Sequence, residues 1–459
     1  MWMVVKLLAV LVVLLAVGLG VLWQKVFAPG PLPVLRDEWW GPGQPRNVGE
    51  AITPFKINIP DSVIADLNAR LDRWQNPTKP LENAQFTYGM NTDYLTKVVK
   101  FWRKDYNWKK REAFLNSLPQ FKTNIAGLNI HFIHVKPKNV PAGTKVLPLL
   151  FMHGWPGSVR ELYAAIPLLT TPRKGYDFVF EVIAPSLPGY GFSDAAVRPG
   201  LGAVQVGVVM RQLMQRLGFN QFYVQGGDWG SLIATHMATL YPNIVLGVHM
   251  NMCVSMHPLT QILYTIGSIY PLLVVDEPYQ DRLYPLSKTY AHLLEEMGYF
   301  HLQASKPDTV GVALRDSPVG LAAYILEKFA VWTKKDNKFL ADGGIEKKFS
   351  LTDLLDNVMI YWVTDSITTS MRLYAESLAI NQWSLGMEKI PANVPVACTA
   401  APEEIAYTPR AALLLKFPQL VHYTHPPRGG HFLAFEEPEM FADDVFEGMS
   451  KVLAGQTSS

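Results

Sequence analysis

The segment from residue 222 to residue 240 constrains the fold of this chain more than any other feature. Phe222–Gln225 has the composition of a short buried strand, and the residues from Trp229 to about Leu240 form a helical pattern. Between them lies the turn Gly226-Gly227-Asp228-Trp229-Gly230, whose glycines allow a sharp reversal of the backbone. A strand that passes through such a turn into a helix presents the middle residue at the carboxyl end of a sheet. That residue is Asp228, which either caps the helix or faces a binding site.

The sequence around this turn alternates between strand-like and helical segments. Residues 146–152 and 178–184 are near-continuous apolar runs, which are typical of strands buried on both faces. Residues 128–135 alternate between apolar and polar side chains and predict a half-exposed strand. Further strands are predicted at 245–250, 394–398 and 420–424. The alternation predicts an α/β fold with a mostly parallel, doubly wound sheet that helices cover on both faces.

Long helical stretches flank and interrupt the predicted sheet. The segment from about 50 to 120 is predicted to be helical, and the aromatic-rich segment from about 255 to 385 predicts a helical lid between two strands. The predicted divisions are a membrane anchor at 1–25, a strap and helical region at 26–140, the first part of the core at 141–254, the lid at 255–385 and the second part of the core at 386–459.

The N-terminus is the most apolar part of the chain. Leu7–Trp23 contains no charged residue and would span about 26 Å as a helix, close to the ~30 Å of a bilayer core. A cleaved signal peptide is the alternative, but Trp23-Gln24-Lys25 is a poor cleavage site. Tryptophans at both ends, Trp2 and Trp23, suit the membrane interface. We therefore expect an uncleaved single-pass anchor, whose flanking charges do not indicate its orientation.

The charge balance and the cysteine count exclude several classes of function. The 41 Lys and Arg residues nearly match the 39 Asp and Glu residues, so no basic surface for nucleic acid is expected. Cys253 and Cys398 are too few for a disulfide framework and lack metal-ligand spacing, and we expect buried thiols. The sequence predicts no metal and no cofactor, and nothing in it indicates an oligomeric state.

Residues with catalytic chemistry follow the predicted strands. The turn with Asp228 follows one strand, Glu403 and Glu404 follow the strand at 394–398, and His431 follows the last strand. Each could be an ordinary structural residue by itself. Together they lie at the strand ends where ligand sites form, in the chain order nucleophile, acid, base. This is the order of α/β-hydrolases, with an aspartate in the place of the nucleophilic serine.

An aspartate nucleophile changes the chemistry that is expected. A carboxylate is ionised at neutral pH and can attack a saturated carbon, which forms an alkyl ester on Asp228. His431 would then activate water to hydrolyse the ester, with Glu404 orienting the imidazole. The backbone N–H groups of Trp155 and Trp229 could stabilise the oxyanion of that second step. The Trp155-Pro156 bond is a candidate cis peptide.

The motifs HGWPGS, PSLPGYGFS, QGGDWGS and RGGHF, together with EWWGPG after the apolar N-terminus, resemble those of the microsomal epoxide hydrolases of the α/β-hydrolase superfamily. The resemblance extends over essentially the whole chain. It implies the hydration of an epoxide to a vicinal diol, an endoplasmic-reticulum anchor, and a catalytic body that faces the cytosol. It assigns the nucleophile, base and acid to Asp228, His431 and Glu404, with the preceding Glu403 as the alternative acid. It also implies that two lid tyrosines, Tyr299 and Tyr374, donate hydrogen bonds to the epoxide oxygen. The residues expected to line the substrate site are His153, Gly154, Trp155, Pro156 and Trp229.

Two alternatives to an epoxide hydrolase stay open from the sequence. A haloalkane dehalogenase also uses an aspartate nucleophile followed by tryptophan, but has no use for two lid tyrosines. A membrane-tethered carrier on a disabled hydrolase scaffold would bind an epoxide without releasing diol. The substrate is expected to be lipophilic, because the lid is rich in aromatic residues and methionine. Two substrate classes are possible within the family. One is arene and alkene epoxides. The other, towards which the resemblance to the insect juvenile hormone branch points, is the epoxide of a sesquiterpenoid methyl ester.

Overall fold

A computed structural model of the protein describes residues 2, 6, 18, 20, 23–46, 49–75 and 77–457. Within these residues one sheet is formed by β1 (Ile52–Phe55), β2 (Gln120–Ile125), β3 (Leu128–Val135), β4 (Lys145–Met152), β5 (Phe178–Pro185), β6 (Phe222–Gly226), β7 (Val245–Met250), β8 (Val396–Thr399) and β9 (Leu420–Thr424). The spatial order is β1-β2-β3-β5-β4-β6-β7-β8-β9. The pairs β1–β2, β2–β3 and β3–β5 are antiparallel, and the six strands β4 to β9 are parallel to one another. The mostly parallel sheet that the alternation predicted is therefore confirmed.

The helices fall into three groups along the chain. The first group precedes the parallel strands: α1 (Asp61–Arg73), α2 (Thr92–Lys104) and α3 (Trp108–Leu115). The helices between the core strands are α4 (Ala165–Leu169), α5 (Ala203–Arg216) and α6 (Trp229–Leu240). An insertion between β7 and β8 contains α7 (Pro258–Gly267), α8 (Leu286–Glu296), α9 (Gly298–Ser305), α10 (Pro307–Asp316), α11 (Pro318–Val331), α12 (Leu351–Thr364), α13 (Ile367–Ser377) and α14 (Ile380–Trp383). The C-terminal helices are α15 (Arg410–Leu413), α16 (Leu433–Glu436) and α17 (Pro438–Thr457). Short 3-10 turns lie at Val159–Leu162, Pro271–Leu273, Glu277–Arg282, Lys335–Phe339, Ile345–Lys347 and Met387–Lys389.

The apolar runs lie where a doubly wound sheet needs them. Residues of β5 and β6 are almost all buried, because helices pack over the parallel part of the sheet. α5 packs against α6, and α17 packs against α4 and against β7, β8 and β9. β3 is more buried than its alternation predicted, since only Asn129 of its eight residues is exposed.

The N-terminal region departs from the prediction in one respect. The segment predicted to be helical contains β1, which pairs Ile52 with Thr123 of β2. The four residues of β1 are largely exposed and show no alternation, so no local pattern marks them as a strand. The strap is held by Trp40, whose N–H donates to Ala126 and whose carbonyl accepts from Val197.

Most of the predicted membrane anchor lies outside the described residues. No helix in the described part of the chain is both long enough and apolar enough to cross a membrane.

The two cysteines form a disulfide, so the expectation of buried thiols is wrong. Cys253 and Cys398 are 145 residues apart in sequence, and their Cα atoms are 6.1 Å apart. Cys253 follows β7 and Cys398 lies in the neighbouring strand β8. Adjacent strands bring the residues together, and spacing along the chain could not indicate this.

Candidate active site

Asp228 occupies the turn between β6 and α6. Its φ of 49° and ψ of −126° lie in a region that side chains rarely adopt, at a cost of roughly 1–3 kcal/mol. The flanking glycines make the turn possible. A Cβ on Gly230 would lie 2.4 Å from the carbonyl oxygen of Met152, and one on Gly226 would lie 2.3 Å from Gly230. The turn therefore needs small residues and directs the Asp228 carboxylate away from the sheet.

The loop after β4 holds that carboxylate. The backbone N–H of Trp155 donates to Oδ1 of Asp228 over 2.8 Å. A Cβ on Gly154 would approach Oδ1 to 2.1 Å, so only glycine leaves room for the aspartate. The Trp155-Pro156 bond is cis, as the sequence suggested. Trp229 begins α6, where helix N–H groups have no partner within the helix.

His431 lies between two carboxylates. Its Nδ1 is 2.6 Å from Oε1 of Glu404, and its Nε2 is 3.4 Å from Oδ2 of Asp228. Glu403 instead accepts a hydrogen bond from the backbone N–H of Lys335, so Glu404 is the glutamate that contacts the histidine. Both His431 and Glu404 are buried.

The charges around His431 determine its protonation. Burial alone would lower the pKa of the imidazole, but the carboxylates of Glu404 and Asp228 outweigh burial and hold this pKa well above its usual value. The raised pKa favours an imidazolium that is paired with a carboxylate on each side. It can act as a base only after one of the two negative charges has gone.

Tyr299 and Tyr374 come from the insertion and face Asp228. Tyr299 lies on α9 and stacks on the ring of Trp155, with centroids 5.2 Å apart. Tyr374 lies on α13 with its ring 4.7 Å from that of Trp229, and the two tyrosine rings are 6.0 Å apart. Burial raises the pKa of both phenols well above the usual value, and the charge of Asp228 adds to the effect. Both are neutral donors at physiological pH, and the Tyr374 hydroxyl has no hydrogen-bond partner in the described part of the chain.

A cavity of about 260 Å³ extends from these groups along α6. Asp228, Trp229, Tyr299 and Tyr374 line one end, and most of the remaining wall is apolar. Further lining residues are Val204, Leu232, Met252, Val254, Met297, Phe300 and Met387. Of the predicted substrate-lining residues, Trp229 lines this cavity, and His153, Gly154 and Trp155 line a smaller adjoining cavity that also contains Asp228 in its wall. Pro156 lines neither of the two. The apolar wall therefore comes mainly from the insertion and α6.

His153 is held in a neutral form. Its Nδ1 is 3.0 Å from the carbonyl oxygen of Gly154, and its Nε2 accepts from the backbone N–H of Leu187. Burial lowers the pKa of this imidazole to about 4. His153 thus ties the loop after β4 to the loop after β5.

A second carboxyl group, which the sequence did not predict, lies near Asp228. Glu161 lines the smaller cavity of about 20 Å³ together with Asp228, His431, Gln225 and Asn251. This volume is about that of one water molecule. Burial raises the pKa of Glu161 to about 8, with the charge of His431 opposing the rise. Glu161 lies in the same loop as the HGWPGS motif, but nothing local showed that its carboxyl group turns towards Asp228.

Glu436 was also missed, and it holds the backbone on both sides of His431. Its Oε2 accepts from the N–H of Gly430 and its Oε1 from the N–H of Phe432, both over 2.9 Å. The side chain is 8% exposed, so these bonds are shielded from water. Its position five residues after His431 is the sequence signal that could have identified it.

Three side chains away from Asp228 have the types and spacing of metal ligands. Ligand atoms of His292, Glu295 and Glu296 on α8 lie within 4.8 Å of one another. None of these residues lines either of the two cavities at Asp228.

Comparisons with known proteins agree with this geometry. Residues 52–162 match the family described as epoxide hydrolase N terminus, and residues 148–438 match the alpha/beta hydrolase fold. The chain is 53% identical over 435 residues to juvenile hormone epoxide hydrolase 1 of Ctenocephalides felis, covering 95% of this chain and 93% of that protein. It is 50% identical over 419 residues to epoxide hydrolase 1 of Oryctolagus cuniculus, covering 90% of this chain and 92% of that protein. The crystal structure of juvenile hormone epoxide hydrolase from the silkworm Bombyx mori has a TM-score of 0.89 at 48% identity, covering 92% of this chain and 99% of that one.

Proposed function

The chain belongs to the epoxide hydrolases of the α/β-hydrolase fold and hydrates epoxides, and on that premise we propose that Asp228 is its nucleophile and a juvenile hormone its natural substrate. The observation that carries the mechanism is the position of the Asp228 carboxylate, at the end of an apolar cavity and opposite two buried phenols.

In the first step a carboxylate oxygen of Asp228 attacks a carbon of the epoxide. The bond between that carbon and the epoxide oxygen breaks, and the oxygen takes a proton from Tyr299 or Tyr374. The product is a hydroxyalkyl ester on Asp228. The proton that His431 carries in the free enzyme restores the tyrosine.

Ester formation removes the negative charge of Asp228, so His431 loses one of the two groups that kept it protonated. The neutral imidazole can then take a proton from water as the water oxygen attacks the ester carbonyl carbon. The N–H of Trp155 is placed to donate to the oxyanion. The ester C–O bond then breaks, and the departing alkoxide takes the proton of the new carboxyl group. The diol leaves Asp228 as a carboxylate and His431 with the proton that it took from water. The sum of both steps is one epoxide and one water converted to one diol.

A single turnover in ¹⁸O-water with enzyme in excess over epoxide tests this route. We expect unlabelled diol from the first turnover and label in Asp228, located by mass spectrometry of the peptide. Labelled diol in the first turnover would mean that water attacks the epoxide directly.

The family assignment decides against a haloalkane dehalogenase. The chain retains Tyr299 and Tyr374, which a halide leaving group does not require. A diol product also separates the enzyme from a carrier, which would bind the epoxide and release it unchanged.

The substrate proposal rests on the insect relatives and on the apolar cavity. Juvenile hormone epoxide hydrolase 1 of Ctenocephalides felis and the silkworm enzyme carry that activity in their names. We expect kcat/KM for a juvenile hormone to exceed that for styrene oxide by at least about tenfold, because a longer apolar ligand fills more of the cavity. Equal or reversed values would favour a general detoxifying enzyme.

We further propose that the insertion acts as a lid and that residues 1–25 anchor the enzyme in the endoplasmic-reticulum membrane with its body towards the cytosol. The apolar Leu7–Trp23 run supports the anchor, and the tyrosines on the insertion support the lid. Deletion of residues 1–25 is expected to move the enzyme from the microsomal pellet to the supernatant. Protease added to intact microsomes is expected to digest the catalytic body. If the body were protected, it would face the lumen and the proposed orientation would be wrong.

A further inference from the structure

The large cavity has a polar end opposite the nucleophile. Asp228, Leu232, Thr235 and His236 all line it, because positions four, seven and eight residues apart share one face of a helix. At ~1.5 Å per residue, His236 stands about 12 Å along the helix from Asp228. The cavity therefore runs from the reacting carboxylate to an imidazole.

His236 has unused hydrogen-bonding capacity. Its Nδ1 is buried and has no hydrogen-bond partner in the described part of the chain. Buried ring nitrogens normally have a partner, and a histidine that lines a cavity with its hydrogen bonds unused can bond to a ligand there. Oε1 of Gln382, which also lines the cavity, has no partner among the described residues.

Burial keeps this imidazole neutral, and the neighbouring Lys416 adds to the effect. Lys416 lines the same end, and its ammonium donates to the hydroxyl of Thr239 over 3.0 Å and to the carbonyl oxygens of Met387 and Ile390. All three of its protons are thus engaged within the protein. Burial and the charge of Lys416 lower the pKa of His236 to about 3. A neutral imidazole has one N–H donor to offer, and Lys416 has none to spare.

We propose that His236 donates a hydrogen bond to the ester carbonyl oxygen of the substrate and so selects lipophilic epoxides with an acceptor about 12 Å from the epoxide. This inference rests on the proposed function and deepens it. A neutral carbonyl suits the site better than a carboxylate, because the surrounding wall is largely apolar and burial lowers the pKa of the Lys416 ammonium to about 7, which weakens the nearby positive charge.

The test compares two probes: the epoxide of a sesquiterpenoid methyl ester, and the same terpenoid epoxide with a hydrocarbon end in place of the ester. We expect the ratio of kcat/KM for the ester to that for the hydrocarbon to fall about tenfold in His236→Leu, because the carbonyl then lacks its donor. The change should lie in KM, since His236 does not contact the reacting atoms. His236→Gln keeps an N–H donor and should restore most of the ratio.

His301→Leu is the matched control, because His301 is an exposed histidine on α9. Its ratio should equal that of the parent, and turnover of the hydrocarbon epoxide reports that each variant is folded. If the parent enzyme prefers the ester and His236→Leu keeps that preference, the role of His236 is wrong but the substrate proposal stands. A parent enzyme that hydrates the hydrocarbon but not the ester would overturn the substrate proposal together with the role of His236.

Discussion

Nδ1 of His431 lies 2.6 Å from Oε1 of Glu404, and both groups are buried. The backbone N–H of Ile405 donates to the same oxygen over 2.7 Å, which fixes the carboxylate in place. The pair orients the imidazole with Nε2 towards Asp228 and raises its pKa. In the proposed mechanism Glu404 therefore acts through the histidine.

Glu404→Gln is expected to lower kcat by about 10²- to 10⁴-fold, because the neutral amide no longer stabilises an imidazolium. Hydrolysis of the alkyl-enzyme should slow more than its formation. Loss of the carboxylate also lowers the pKa of His431, so the acid limb of the pH profile for the hydrolytic step should move to lower pH. Stopped-flow kinetics separate the two steps. Glu403→Gln is the adjacent control, and a similar loss in both variants would contradict the assignment.

Tyr299→Phe and Tyr374→Phe should each slow ester formation by about 10- to 10³-fold, because the epoxide oxygen loses a proton donor. Ester hydrolysis should change little. Quenching of tryptophan fluorescence in single turnovers can report the first step, since the rings lie against Trp155 and Trp229. Tyr324→Phe is the control, because Tyr324 also contacts Trp155 but its hydroxyl accepts from Gln303. If the double Phe variant formed the ester at the parent rate, the tyrosines would have no part in ring opening.

Gly154→Ala is expected to abolish most activity, because the new methyl group would lie 2.1 Å from Oδ1 of Asp228. Either the carboxylate or the loop must move, and about 1 Å of displacement can cost about 100-fold in rate. Gly455→Ala on α17 is the control, since its Cβ would meet only ordinary contacts at 3.8 Å and 3.9 Å. That variant should gain up to about 1 kcal/mol in unfolding free energy. Parent-like turnover in Gly154→Ala would show that the loop is not rigid.

The parts of the site that the sequence predicted are those encoded in contiguous residues. The turn around Asp228 is a local strand–turn–helix pattern. Glu404 and His431 each follow a predicted strand, which predicted that they lie at the same edge of the sheet as Asp228. The parts that were missed depend on distant contacts. β1 is defined by its pairing with β2, and the carboxyl group of Glu161 gains its importance from the cavity that it faces.

The disulfide also depends on a contact between distant residues, and it should contribute measurably to stability. A bond between residues 145 positions apart closes a long loop, and such bonds typically stabilise by about 2–4 kcal/mol. Cys253→Ala and Cys398→Ala should each lower the unfolding free energy by this amount, and the double variant should lose no more than either. Urea unfolding of the parent with and without reductant measures the same effect. Insensitivity of the parent to reductant would contradict this role.

A second buried polar cluster ties α17 to the sheet. Asp444 lies 3.0 Å from Nε2 of both His249 and His422, and it accepts from the hydroxyls of Thr399 and Thr424. Burial alone would raise the pKa of Asp444, but the hydrogen bonds from the two histidines outweigh burial and hold it well below its usual value. The ionised carboxylate therefore joins three strands, β7, β8 and β9, to the last helix.

Asp444→Asn is expected to lower the unfolding free energy at pH 7 by about 3 kcal/mol, because an amide cannot accept from all four donors. A folded-state pKa below that of the unfolded chain contributes stability above about pH 4, and this is lost as the pH falls towards the folded-state pKa. Parent and variant should therefore differ fully at pH 7, and the difference should shrink as the pH falls below about 4 towards the folded-state pKa. Asp443→Asn is the neighbouring control, since the Asp443 side chain is 72% exposed in its pair with Arg173 and should change stability by less than about 1 kcal/mol. Urea unfolding across this pH range measures both, and a constant difference between the parent and Asp444→Asn would contradict the assignment of the charge to Asp444.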